Sequence, residues 1–333
     1  LGLLLLALAI APSADPKLVI GEYGLRAERG IIDGDTFRVK GLKQSLRLLA
    51  IDTEEQPRTD YPNEELTRLM RSDFAAYSRR MAQGRALPAK YPTPMGERAT
   101  EFARSRIPPG SKLRLERDVA GSGADLYGRL LCYVWVLPPG DGQPWLYNLE
   151  AVRAGMTPYF VKYGRSKRFD AEFRAAQAEA REAERGIWDD SLPHYPDYEA
   201  RLAWWERRAT ALENYARLAV GDDPPVLLGD RSAIGVLLKR VGERVRVFGL
   251  LDDHDPAAVR IHESGATLRL GGAQPIEIEI VGSDRVDRLK VISLRGEFVL
   301  VEGILDRRGS PLKRKTRYMR IPVTDDAQLR PGY

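Results

Sequence analysis

Arg47-Leu48-Leu49-Ala50-Ile51-Asp52-Thr53-Glu54-Glu55 sets one arginine in an apolar run and ends the run in carboxylates. From Ser45 to Asp52 it reads as a largely buried strand. A guanidinium buried between leucines needs a partner, because an unpaired buried charge is expensive. Asp52 is the nearest acid along the chain, but it lies five residues away. In a straight strand the two side chains point to opposite faces. They converge only if the strand bends or ends near Ala50, which the tight coiling of a small β-barrel permits. A purely structural Arg47–Asp52 ion pair satisfies the same pattern.

Two further segments bear on the chemistry. Upstream lies Ile32-Asp33-Gly34-Asp35-Thr36, which taken singly is a turn signal. Downstream lies Asp125-Leu126-Tyr127-Gly128-Arg129. Asp35, Asp52 and Glu55 supply oxygen donors with no histidine or cysteine near them in sequence. Such a set favours a hard ion, Ca²⁺ or Mg²⁺. A guanidinium beside it suits a substrate with phosphate oxygens. Glu55 is a weak base by itself, so a metal would have to share the work of activating water.

The surrounding elements alternate between strand and helix. Phe37 and Val39 face one way, Arg38 and Lys40 the other. Residues 63–83 are polar and helix-favouring, inside a proline-flanked excursion over 56–94. Gly96–Arg106 reads as a helix stopped by Pro108-Pro109-Gly110. Lys112–Asp118 and Leu130–Leu137 read as strands, and Trp145–Ala154 and Asp170–Glu184 as helices. The order predicts an α+β domain, a small mixed barrel with packed helices.

Together the three segments resemble the staphylococcal nuclease (thermonuclease) family. The resemblance rests on I-D-G-D-T, R-L-L-A-I-D-T-E-E, G-E-R-A-T-E-F, D-L-Y-G-R-L-L and R-G-I-W, in that order, over roughly Leu18 to Asp189. It implies a five-stranded OB-type β-barrel with three helices and Ca²⁺-dependent hydrolysis of DNA and RNA with little sequence selectivity. It also implies that Asp35 and Asp52 bind Ca²⁺ through carboxylates and Thr53 through its carbonyl. Glu55 would then act on the attacking water, and Arg47 and Arg129 would hold the scissile phosphate. The sequence departs from the family twice. Glu54 stands where proline is usual, which predicts a looser loop or an added charge. The segment 56–94 is longer than its counterpart by a few tens of residues, and it follows Glu55 directly.

The remainder of the chain carries less chemistry. The 333 residues are 43% hydrophobic and 30% charged, with net charge +5, which suits about two domains and is compatible with an anionic partner. The single cysteine, Cys132, sits in an apolar run and reads as a buried thiol, so no intramolecular disulfide forms. Residues 1–14 read as a truncated signal peptide, which predicts a secreted or periplasmic protein, with an N-terminal membrane anchor as the alternative. The expected domains are 15–193, then a helix and linker over 194–225, then a β-rich domain over 226–333, OB-like and nucleic-acid binding. In the helix, Leu202, Trp205, Ala209, Leu212, Ala216 and Ala219 make an apolar seam. In the last domain V-x-V-x-G recurs at Val245 and Val299, and a glycine within a strand signals a bulge or bend. A basic run from Arg307 to Arg320 suits phosphate-backbone contact. The alternative function is a nuclease-like module that binds nucleic acid or protein without catalysis. The intact carboxylates and arginines speak for catalysis.

Overall fold

A computed structural model describes all residues except 1–9, 58–62, 86, 126, 231, 253–254, 256, 272–275 and 310–316. The chain forms two compact units. The first comprises residues 1–161 and 165–202, the second 162–164 and 203–333, so the division falls within one long helix.

In the first unit one seven-stranded sheet carries β1 (Val19–Gly24), β2 (Ile31–Asp33), β3 (Thr36–Phe37), β4 (Leu46–Leu48), β5 (Lys112–Glu116), β6 (Leu130–Leu137) and β7 (Trp145–Leu146). The order is β1-β5-β6-β4-β3-β2, with β7 on β6. Only the β4–β6 pair in this sheet is parallel among the described strands. The sequence led us to expect five strands in a barrel. Among the described residues the sheet is a path of seven strands, more and shorter than expected, because the turn at Asp33-Gly34 and the end of β4 at Leu48 cut the expected runs. Its margins do meet at one place. Leu25 bridges Val39, with the Lys40 N–H donating to the Gly24 carbonyl at 2.8 Å. The predicted alternation holds: Phe37, Val39, Leu113 and Leu115 are fully buried. Cys132 is buried and unpaired, and burial pushes its thiol upward in pKa, as expected of an inert core group.

Among the described residues, six α-helices belong wholly or partly to this unit: α1 (Glu64–Ser72), α2 (Phe74–Ala82), α3 (Pro94–Arg106), α4 (Tyr147–Arg153), α5 (Asp170–Glu182) and α6 (Tyr198–Leu218). The excursion over 63–83 is two helices, because Asp73 both ends α1 and caps α2. Its own N–H donates to Leu69, while its side chain accepts the Ala76 N–H at 2.9 Å. Helix α3 begins two residues before the expected Gly96, since Thr93 is its N-cap and Pro94 fills the first turn. The predicted helix from Trp145 starts only at Tyr147, because Trp145 and Leu146 pair with β6.

The second unit is mostly β. One sheet has the order β10 (Val259–His262), β11 (Gly265–Leu270), β12 (Ile276–Val281), β15 (Arg317–Val323), β14 (Asp306–Gly309). The other runs β16 (Leu329–Pro331), β13 (Phe298–Ile304), β9 (Arg244–Leu250), β8 (Val226–Leu227). Both sheets contribute to one core, with Val245, Val247, Ile278, Ile280, Val299 and Val301 fully buried. The two V-x-V-x-G strands are direct antiparallel partners. Each glycine faces the other's leading valine, Gly249 opposite Val299 and Gly303 opposite Val245. No bulge interrupts that ladder, contrary to the expectation. The glycines instead make room: a Cβ on Gly303 would lie 2.5 Å from the Ile321 side chain. Lys313, Arg314 and Lys315 of the basic run lie outside the described residues.

The seam on α6 is only half realised. Trp205 and Ala209 are buried, whereas Ala216 and Ala219 are exposed. The buried stripe instead takes in Trp204, Arg208 and Ala211. The Trp204 indole and the Arg208 guanidinium both donate to the Gly296 carbonyl at 3.0 Å, and Ala211 packs with Phe248 and Leu300.

One close approach fixes the loop at Glu55. A Cβ on Gly96 would lie 2.1 Å from the Glu55 carbonyl oxygen. The Gly96→Ala variant should therefore be less stable by about 1–3 kcal/mol, the usual cost of overpacking, even though alanine favours helix. Urea unfolding measures this; a stabilised variant would show that α3 and the Glu55 loop are not tightly apposed.

Candidate active site

The strand expected over Ser45–Asp52 ends early. β4 stops at Leu48, and Ala50 adopts a left-handed backbone at φ +64°. Such a conformation costs an alanine about 1–3 kcal/mol and persists only where its surroundings over-determine it. Here they do. The Leu49 N–H donates to Cys132, the Asn148 amide donates to the Leu49 carbonyl at 2.8 Å, and the Phe160 N–H donates to the Ala50 carbonyl at 2.9 Å. The reversal at Ala50 returns Asp52 to the face that carries Arg47.

Arg47 is consequently clamped. Its guanidinium meets Asp35 at 2.9 Å, the Ile51 carbonyl at 3.0 Å, and Asp52 through its other terminal nitrogen. Burial disfavours its charge, but Asp35 and Asp52 more than offset that, so its pKa is held above its ordinary value. Asp35 is further fixed by the Thr53 N–H at 2.9 Å and the Thr36 hydroxyl at 3.0 Å. The Asp52 N–H donates to the Thr157 hydroxyl. Thus Asp35, Arg47, Asp52 and Thr53 come together.

Glu54 and Glu55 part company. Glu54 is 2% exposed. It accepts the Tyr195 N–H and the Tyr198 hydroxyl, both at 2.7 Å, and the Thr93 hydroxyl. The expectation of a looser or more highly charged loop is therefore reversed: Glu54 points away from Asp35 and Asp52 and anchors the loop. Glu55 is about half exposed and lines a cavity of about 750 Å³ with Asp33, Gln56, Arg26, Arg29 and Arg104.

Arg129 stands apart from the clamp. Its Nε donates to Asp125 at 2.7 Å, and Asp125 also accepts the N–H groups of Tyr127 and Arg129. Asp125 thereby builds the turn that aims this arginine. Strand register brings it near Arg47 all the same. Leu131 on β6 is level with Arg47, and Leu130 donates to the Ser45 carbonyl. Extended by one residue, that register sets Arg129 and Arg47 on one face of adjacent strands, two positions apart.

Three participants escaped the sequence reading. Asp125 was visible within its motif. Asp33 belongs to the carboxylate group, where burial and then the neighbouring Asp35 charge push its pKa up to about 7; the paired aspartates of Asp-Gly-Asp were the signal. Lys90 left no local signal. Its ammonium lies 2.6 Å from Asp52 and 3.6 Å from Glu55.

The donor chemistry suits a hard divalent ion: the oxygens of Asp35, Asp52 and Glu55 lie about the cations Arg47 and Lys90, with Asp33 beside Asp35. The ligand set is not preassembled, however. Among the described residues no three acidic, histidine or cysteine side chains converge as a metal site, because Asp35 and Asp52 are turned onto Arg47 and Lys90.

The site thus sets Arg47, on β4 and clamped by Asp35 and Asp52, beside the parallel strand β6, with Arg129 in the turn that leads into β6, on an α+β domain. Residues 45–190, somewhat under half of the chain, match the family model described as Staphylococcal nuclease homologue. The match includes Arg47, Asp52, Thr53, Glu55 and Arg129; Asp35 lies just before it. The chain is 26% identical to Endonuclease YhcR of Bacillus subtilis (strain 168), covering 54% of this chain and 12% of the relative. It is 30% identical to Endonuclease YncB of the same organism, covering 48% and 59%. It is 26% identical to the Thermonuclease of Staphylococcus hyicus, covering 48% and 73%. The chain thus spans less than two thirds of the two Bacillus relatives.

Glu54 supplies a stability test. Burial raises its pKa above the ordinary value of 4.5, and its three hydrogen bonds offset this only in part. The folded state therefore holds the proton more tightly than the unfolded one. This contribution is full below pH 4.5 and is lost as pH rises through the higher folded value. Glu54→Gln, which does not titrate, should flatten that part of the stability profile in urea unfolding. Glu54→Ala should cost on the order of 3 kcal/mol by stranding buried donors. An unchanged profile and stability would show that Glu54 is no anchor.

Proposed function

We propose that the chain is a metal-dependent phosphodiesterase that cleaves DNA, RNA or both with little sequence selectivity, using Ca²⁺. The observation that carries this reading is the convergence of Arg47 with Asp35 and Asp52 across the reversal at Ala50. The endonuclease names of the relatives support it. A bound ion would be held by Asp35, Asp52 and the Thr53 carbonyl, and would supply charge neutralisation and a more acidic water.

The chain's own groups do the remainder. Glu55, half exposed at the cavity, takes the proton of the water that attacks phosphorus. Arg129 is engaged by Asp125 through Nε, which leaves its two terminal nitrogens for phosphate oxygens. Arg47, on the same face, adds a second positive charge where negative charge grows in the transition state. The arginines lining the Glu55 cavity give the polyanion a path. A closed OB-type barrel belongs to the same reading, supported by the Leu25–Val39 bridge. So does export, supported by the apolar leader; among the described residues no helix is long and apolar enough to cross a membrane.

Plasmid DNA and structured RNA should be degraded in Ca²⁺, and chelator should abolish this. Cleavage indifferent to chelator would overturn the metal mechanism. Folded protein that cleaves neither polymer in Ca²⁺ would favour the binding-module reading. Arg129→Ala should lower kcat by about 10²–10³, the cost of one lost transition-state donor, with Ca²⁺ affinity by calorimetry nearly unchanged. Loss of both together would contradict its assigned role.

A further inference from the structure

The segment that follows Glu55 does more than decorate the domain: it delivers a cation into the carboxylate site. Lys90 has its ammonium 2.6 Å from Asp52 Oδ1 and 3.6 Å from Glu55 Oε1. Asp52 is 4% exposed at its side chain, and the same Oδ1 accepts Arg47. Asp52 and Glu55 are residues that the reading above gives to the metal and to the water.

The backbone around Lys90 is held on every side. The Ala89 carbonyl accepts Arg201. The Tyr195 hydroxyl takes the Tyr91 N–H at 3.0 Å and donates to the Tyr91 carbonyl at 2.8 Å. Tyr77 donates to the Pro92 carbonyl at 2.8 Å, and the Thr93 N–H donates to Glu55 at 2.9 Å. Residues buried in one aromatic cluster, Tyr77, Tyr91, Tyr195 and Tyr198, supply much of this grip. The position of Cα is therefore fixed. The Lys90 side chain itself is 45% exposed, and a lysine stem has four rotatable bonds with which to swing its strongly hydrated head into water.

We propose that Lys90 is a resident cation of the active site, which competes with the divalent ion for Asp52 and Glu55 and must leave them when the ion binds. A Ca²⁺ ion needs its oxygen ligands at 2.3–2.6 Å. An ammonium at 2.6 Å from the same carboxylate oxygen crowds that ion and repels it. Arg47 can stay, since it is buried and also held by Asp35 and main-chain carbonyls. Lys90, half exposed, is the cation free to move. It thereby sets the ion concentration at which the site loads, and it keeps the carboxylates neutralised and ordered below that concentration. The inference rests on the metal reading above.

The test is calorimetric titration of the full chain with Ca²⁺, for wild type, Lys90→Gln and Lys90→Arg. Lys90→Gln should bind about tenfold more tightly, a coupling within the usual range between two ligands of one site, while Lys90→Arg should remain weak. In wild type alone, acetylation of Lys90 followed by peptide mass spectrometry should accelerate when Ca²⁺ is added, because the released amine meets solvent. This second readout holds if a variant misfolds. Equal or weaker Ca²⁺ binding by folded Lys90→Gln, or labelling of Lys90 indifferent to Ca²⁺, would overturn the proposal and leave the metal reading standing. No binding by wild type or Lys90→Gln at millimolar Ca²⁺ would overturn both.

Discussion

The first unit is organised around one guanidinium. Arg47 is nearly buried, and its charge is met by Asp35 from the preceding hairpin and by Asp52 from beyond its own strand. Removing either carboxylate would leave a buried charge half compensated, which is why such pairs are costly to break even when they add little net stability. The clamp also dictates backbone. Asp52 reaches Arg47 only because Ala50 is left-handed, and Ala50 is held so by Phe160, Asn148 and Cys132. Helices and strands distant in sequence thus serve one local reversal.

Much of this was legible in advance. An arginine among leucines with an aspartate five residues on poses a geometric contradiction, and a contradiction in sequence marks a place where backbone must do something unusual. Strands with clean alternation, such as that holding Leu113 and Leu115, were equally readable. What stayed hidden depends on long-range partners. Glu54 finds its donors about 140 residues downstream, at Tyr195 and Tyr198. Lys90 meets Asp52 from 38 residues away. Neither pairing has a periodicity or spacing to betray it. The α6 seam failed for a related reason: pattern alone counts apolar residues, whereas Arg208 buries itself by finding the carbonyl of Gly296.

Glu54 and Glu55 show how two adjacent, chemically identical residues divide labour. Neighbouring side chains in extended backbone point oppositely. Glu54 turns into the aromatic cluster and fastens the loop, while Glu55 turns out to the cavity. A proline at position 54, as is usual in the family, would stiffen that loop through its own ring. Here three hydrogen bonds to a buried carboxylate do the stiffening, and they need the aromatic residues and Thr93 as donors. One of those donors, Thr93, comes from the segment that follows Glu55.

Charge balance connects that change to chemistry. Neighbouring carboxylates disfavour one another's charge, and Asp33, raised in pKa first by burial, is raised further by the charge of Asp35. Two devices relieve this repulsion. Arg47 does so permanently, because it is buried and multiply bonded. Lys90 does so from a rigid backbone through a mobile arm. A permanent cation lowers the site's charge for every ligand alike, whereas a removable one lowers it only until something better arrives. The difference between the two lies less in charge than in burial.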